Sequence, residues 1–259
     1  MDTNRRLLVL GNGPSVKIGD FPKFIHADTI GMNAAYRHWD RIGWYPTHYA
    51  CLDSQVVVSH ADAIAGMIRA DRFATAFLHW HVLKRHPDLA ADPRVTFLCQ
   101  LMDGEDDPKR CAALKLDHAP SRFFVQSALP DWITTGSSAV RFGAHLGYRD
   151  IGIVGIDCNY QEILPEAVSQ GGVVLRIDKP VDHNPNYFFN DYQQPGDIYQ
   201  IPNPVGLDGN LHRKAMATIP QDNITYGYGL DLHILTRESW LFEADILPYQ
   251  PLDAFLGLG

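Results

Sequence analysis

Two short stretches of this chain read alike. Arg6-Leu-Leu-Val-Leu10 runs into Gly11-Asn-Gly-Pro-Ser15, and Asp150-Ile-Gly-Ile-Val154 runs into Gly155-Ile-Asp157. Apolar runs of this length suit strands buried on both faces, and such strands belong to parallel sheets covered by helices. Further strand candidates lie at 28–32, 48–52, 72–78 and 94–98. Between them, Pro14-Ser15 opens a short helix toward Phe24, and Ser54 caps a helix over 55–69 with Val58, Ala61, Ile64, Ala65 and Ile68 inward. A third helix spans 137–146, with Gly147 where a C-terminal cap belongs. This alternation implies an α/β fold: a Rossmann-like, mostly parallel sheet with helices on both faces and a C-terminal lid or loop region.

The expected organisation is a nucleotide-binding core over 1–160, a lid with acceptor-site loops over 161–230, and a segment over 231–259 that completes the same domain. Gly, Pro, Asn and Tyr become dense over 170–229, as in a binding loop. The apolar stretch 240–255 either covers an interface or caps the sheet. With 46% apolar residues the chain can form a sizeable core, and it has no apolar run long enough to span a membrane. Cys51, Cys99, Cys111 and Cys158 are scattered without CxxC spacing, which favours a reduced cytoplasmic setting over zinc or disulfides. Cys51 and Cys158 read as buried small residues. A net charge of −8 disfavours nucleic acid as the main partner. The acidic run 103–107 reads as a solvated loop.

In open α/β sheets ligands bind at the carboxyl ends of the strands. That rule selects Gly11, Asn12, Gly13 and Ser15; Asn33; Asp53; and Asp157. It is joined by Thr134, Thr135 and Gly136, whose helix N-terminus suits an anion. The first loop is not a full dinucleotide fingerprint, because Val16 occupies the third glycine position and Asn33 stands where an acidic ribose ligand would be. It reads either as a tight turn or as part of a neutral amide-and-hydroxyl pocket for a base, a ribose and phosphate. Asp157 either holds the neighbouring turn or touches the ligand. In the late loop, His183, Asn186, Tyr187 and Tyr192 crowd beside Phe188 and Phe189 like a pocket wall. His183 is a candidate general base or a surface histidine, and His212, at the start of a helix over 211–217, is either a surface histidine or a lid residue that points back to the same cleft.

Taken in order, Gly11-Asn-Gly-Pro-Ser15, Asn33, Ile133-Thr-Thr-Gly136 and Leu146-Gly-Tyr-Arg-Asp-Ile-Gly-Ile-Val-Gly-Ile-Asp157 resemble family 42 bacterial sialyltransferases. They also resemble a wider bacterial group that includes flagellin-modifying glycosyltransferases and 6-hydroxymethylpterin pyrophosphokinase-like proteins. Asn184-Pro-Asn-Tyr-Phe-Phe-Asn-Asp-Tyr192 is similar to the wider group in particular. The resemblance implies a bacterial glycosyltransferase for polysaccharide or glycoconjugate assembly. Its donor would be a nucleotide sugar, CMP-activated and sialic-acid-like, and its acceptor a glycan or glycoconjugate. It also implies inverting, metal-independent transfer without a cofactor, with Tyr160 and Tyr187 at the leaving phosphate and a lid histidine as base. Peripheral membrane association and a homo-oligomer are left open. The chain departs from the family at Trp132, where a sugar-binding Arg is expected, at Leu52-Asp53-Ser54, and at Asn186, which replaces the lid histidine. His183 is then the substitute base. Two alternatives stay open: a pyrophosphokinase acting on a pterin-like alcohol, with Mg²⁺ held by Asp53, Asp157 or Asp191, and a non-catalytic nucleotide-sugar-binding domain.

Overall fold

The computed structural model describes residues 5–98, 134–160, 163–200 and 210–259. Cys99, Cys111, the 103–107 run, Trp132 and Ile133 lie outside them. The apolar runs do form buried strands: β1 (Arg6–Leu10), β2 (Asp28–Met32), β3 (His48–Cys51), β4 (Thr75–His79), β5 (Val95–Leu98), β6 (Asp150–Val154) and β10 (Asp231–Ile234). They pair in the order β10-β6-β1-β2-β3-β4-β5, and each pairing is parallel. Strand order reverses between β1 and β6. A crevice opens beyond the strand ends at such a point, because the connections leave β1 and β6 toward opposite sides.

Alternation along β1 divides the core between the two faces. Leu8 and Leu10 join α1 (Tyr36–Ile42), α2 (Ser54–Ser59) and α3 (Ala61–Arg69) on one face through Tyr36, Trp39, Val57 and Ile64. Leu7 and Val9 join α4 (Thr135–His145) and α5 (Leu211–Tyr226) on the other through Val140, Phe142, Met216 and Ile219. The C-terminal stretch caps the sheet: Leu241 from α6 (Trp240–Glu243) and Phe255 and Leu256 from α7 (Leu252–Leu256) are buried in these two clusters. Cys51 and Cys158 are buried, as expected. Among the described residues, no helix is long and apolar enough to cross a membrane.

Four local expectations need correction. The helix over 55–69 is broken at His60 into α2 and α3, and its cap is Asp53, which accepts from the N–H groups of Gln55 and Val56. The break shifts the helical phase, so Val57 is buried and Val58 exposed. The helix toward Phe24 is a 3₁₀ segment, Ile18–His26. The 211–217 helix continues to Tyr226, capped by Gly227 in the left-handed conformation. The 170–229 region is no plain loop. It holds most of a small antiparallel sheet of β7 (Ala167–Gly171), β8 (Val174–Ile177) and β9 (Ile198–Gln200). These strands are short and β7 is largely exposed, so they carry almost no periodic apolar signal.

Candidate active site

The turn after β1 is held against the loop after β6 at backbone distance. Gly11 N–H donates to Val154 O and Gly13 N–H to Gly155 O, each at 2.8 Å. A Cβ on Gly11 would collide with the Gly155 carbonyl, and one on Gly13 with the Asp157 carboxylate. Asp157 Oδ2 accepts from Ser15 N–H at 3.0 Å, Asp157 Oδ1 accepts from Ser15 Oγ–H, and Ser15 Oγ accepts from Gly155 N–H at 3.1 Å. Burial raises the Asp157 carboxyl above its ordinary value, while the bonds from Ser15 pull it down. Val16 N–H closes back onto Gly13 O. The backbone donors of this turn at Gly11, Gly13, Ser15 and Val16 are therefore spent inside the protein. A phosphate-cradling loop presents such groups outward.

The turn presents the side chain of Asn12 instead. Its Nδ2 donates to Tyr192 Oη at 2.9 Å and to Met32 O at 3.3 Å. Its Oδ1 is buried and has no partner among the described residues, and so is Oδ1 of Asn33. Asn33 follows β2 directly and holds φ at +52°, a left-handed conformation that asparagine tolerates better than most residues. A buried acceptor without a donor costs about 1–3 kcal/mol, so the two oxygens favour a ligand that brings O–H or N–H groups.

Opposite them begins α4. Thr134 caps it in a reciprocal capping box with Ser137, and Ser138 N–H reaches Thr134 O. Helix geometry leaves the N–H groups of Thr135 and Gly136 without intrahelical acceptors. Both residues line a cavity of about 500 Å³, together with Asn12, Asn33, Asp53 and Asp157. A cavity this size suits a nucleotide-sized ligand.

The lid forms the roof. Phe188 N–H donates to Asn12 O at 3.0 Å, pinning the lid loop onto the β1 turn. Tyr187 stacks on Tyr192 with ring centroids 3.8 Å apart, and both line the cavity with Asn186 and Tyr160. Burial raises both phenols far above their ordinary value. Asp197, just before β9, receives a bidentate ion pair from Arg37 of α1 at 2.5 and 2.9 Å. His60 Nε2 lies 3.6 Å from Asp197, and His60 Nδ1 lies 2.9 Å from Tyr36 Oη. Burial lowers the His60 pKa to about 4, so the imidazole is neutral in this latch. His60, Gln193, Tyr199 and Asn210 also line the cavity and were not singled out from the sequence.

The histidines separate clearly. His183 is exposed and does not line the cavity, whereas His212 is half-buried and does. The three carboxylates that a Mg²⁺ site would need do not converge. Asp53 caps α2, Asp157 holds Ser15, and Asp191 pairs with Arg41 on the surface at 2.7 Å. A group with metal-ligand spacing among the described residues, Asp150, Asp231 and His233, lies at the opposite end of the strands.

No family model matches the chain, and no curated protein matches it. Solved structures do. The sialyltransferase CstII from Campylobacter jejuni, in complex with the substrate analogue CMP-3FNeuAc, aligns with a TM-score of 0.52 at 16% identity, over 95% of this chain and 86% of that one. The same enzyme with cytidine-5'-monophosphate aligns with a TM-score of 0.53 at 17% identity, over 97% and 87%. At this identity the likeness is one of fold, and it extends over nearly the whole chain.

Proposed function

We propose that this protein is a glycosyltransferase that takes a sugar from a CMP-activated donor and passes it to a glycan or glycoconjugate hydroxyl. The observation that carries the reading is one cavity at the strand-order reversal. It combines two acceptors without donors, Asn12 Oδ1 and Asn33 Oδ1, with the open N-terminus of α4. The acceptors suit the hydroxyls and amine of a nucleoside, and the helix terminus suits its phosphate. The solved proteins that share the fold hold CMP or a CMP-sugar analogue, which supports cytidine as the base.

Transfer is a single displacement with inversion. The acceptor oxygen bonds to the anomeric carbon, the bond from that carbon to the phosphate oxygen breaks, and its electron pair leaves on CMP. The leaving phosphate is met by the amides at the start of α4 and by the hydroxyls of Tyr160 and Tyr187. The lid excludes water that would otherwise hydrolyse the donor. No divalent ion is required in this scheme, and addition of a chelator is expected to leave turnover unchanged. The pyrophosphokinase alternative is disfavoured, since Asp53 and Asp157, which share the cavity, are engaged by the amides of α2 and by Ser15, and Asp191 is paired with Arg41 on the surface.

The test is equilibrium binding of CMP, UMP, GMP and ATP. CMP is expected to bind most tightly, at micromolar to millimolar concentration. Absence of CMP binding at 10 mM, a limit of about −3 kcal/mol, would sink the proposal.

A further inference from the structure

A displacement at a sugar carbon needs a group that takes the acceptor proton, and Asn186, the lid residue that lines the cavity, cannot serve. An amide has no basic nitrogen at neutral pH. His183 is exposed and outside the cavity lining. His60 lines the cavity, but its Nδ1 is at hydrogen-bond distance from Tyr36 Oη and its Nε2 faces Asp197 in the lid latch.

His212 is placed differently. It lies in the first turn of α5, and that turn is fixed to the loop after β6 from both sides of the histidine. Asn210 caps the helix by accepting from Arg213 N–H at 3.1 Å and donates from Nδ2 to Cys158 O at 3.2 Å. Arg213 donates from Nε to the same carbonyl at 3.1 Å and from Nη2 to Asn159 Oδ1 at 2.6 Å. The two residues that bracket His212 thus bind the loop next to Asp157, and His212 itself lines the cavity. Among the described residues no hydrogen bond or ion pair engages its ring. We propose that His212 is the general base of the transfer: its imidazole takes the acceptor hydroxyl proton as the new carbon–oxygen bond forms and CMP departs with the electron pair of the bond it breaks.

The charged groups nearby leave the ring free for this role. Arg213 is committed to Cys158 and Asn159, Asp157 to Ser15, and Arg141 of α4 to Asp222 of α5 at 2.5 Å. Burial lowers the His212 pKa to about 4, so the ring is unprotonated at neutral pH. A position at a helix N-terminus works in the same direction, since the positive end of the dipole disfavours imidazolium.

This assignment rests on the CMP-donor reading, and the experiment separates the two. The ring protons of His212, identified by their loss in His212→Gln, are followed by NMR against pH with and without saturating CMP. The expected result is a pKa about one unit higher with CMP, from the negative charge that the phosphate brings into the cavity, and no change at His183. With a CMP-sugar that the protein turns over, His212→Gln is expected to slow transfer at least 100-fold while CMP affinity stays within threefold. His183→Ala is expected to retain turnover within twofold. CMP that binds without moving the His212 titration, or turnover retained in His212→Gln, overturns the base assignment alone. Failure of CMP to bind overturns the donor reading and this assignment with it.

Discussion

The turn after β1 and the start of α4 face the same cavity and carry opposite sequence signatures. The turn has the glycines that mark a phosphate loop, yet its amides at Gly11, Gly13, Ser15 and Val16 all point into the protein. The start of α4 has no such glycine pattern, yet its first amides lack intrahelical acceptors and their residues line the cavity. Glycine in the turn answers a need for close approach between two strands' loops, not a need to wrap an anion. What distinguishes the two uses is where the N–H groups go.

Breaking the turn has the largest expected effect. Gly11→Ala drives a methyl into the Gly155 carbonyl, a backbone group that cannot swing aside. The expected loss is about 3 kcal/mol or more in denaturant unfolding. A loss below about 1 kcal/mol would show that the turn and the β6 loop are not packed as described.

Acid separates the cavity floor from its roof. The lid latch holds His60 neutral with a pKa lowered from 6.5 to about 4. Its contribution is therefore complete above pH 6.5 and is lost as pH falls through about 4, because the unfolded chain binds the proton first. Asp157 in the floor is raised above 3.8, so ionising it costs stability as pH rises through its folded value, and mild acid does not weaken it on that account. At pH 5 the His60 contribution to stability is expected to have fallen by about 2 kcal/mol, with His60→Gln flattening the acid limb of the unfolding midpoint. An acid limb of equal slope in that variant would remove His60 from the explanation.

Ser15→Ala removes the hydroxyl that bridges Asp157 and Gly155. About 1.5 kcal/mol of stability should be lost, with CMP affinity of the folded protein within threefold. Thr135→Pro acts on the ligand as well. Proline is accommodated at the first position of a helix, and Thr134 already has the extended backbone that precedes proline. Loss of Thr135 Oγ1, which accepts from Leu52 N–H at 3.4 Å, should cost about 1 kcal/mol of stability, while CMP affinity falls about tenfold, equivalent to about 1.4 kcal/mol, and cytidine affinity does not. If the two variants exchange their effects on CMP affinity, the roles of turn and helix are reversed.

Much of this was legible in the sequence. The apolar runs at β1 and β6 fix the centre of the sheet because only strands buried on both faces look that way. The strand-end rule then brings Asn12, Asn33, Asp53, Thr134, Thr135, Gly136 and Asp157 to one cavity. The destination of the turn's amides was not legible, because it depends on a loop that starts more than 130 residues later. Nor was the small sheet: Ala167–Gly171 is mostly exposed, and three to five residues per strand cannot establish a period. The polar groups that crowd around His183 in the sequence include Asn186, Tyr187 and Tyr192, which line the cavity. That crowding could not show that His183 itself would lie exposed and outside the cavity lining.

The central claim is that the phosphate of CMP sits on the start of α4 and not in the glycine turn. Amide-proton NMR of the protein titrated with CMP, with cytidine as reference, tests it directly. The expected result is a downfield displacement of the Thr135 and Gly136 amide protons with CMP that cytidine does not produce, while the Gly11 and Gly13 amides show no difference between the two ligands. A CMP-specific downfield displacement at Gly11 and Gly13 with Thr135 and Gly136 unmoved would contradict it.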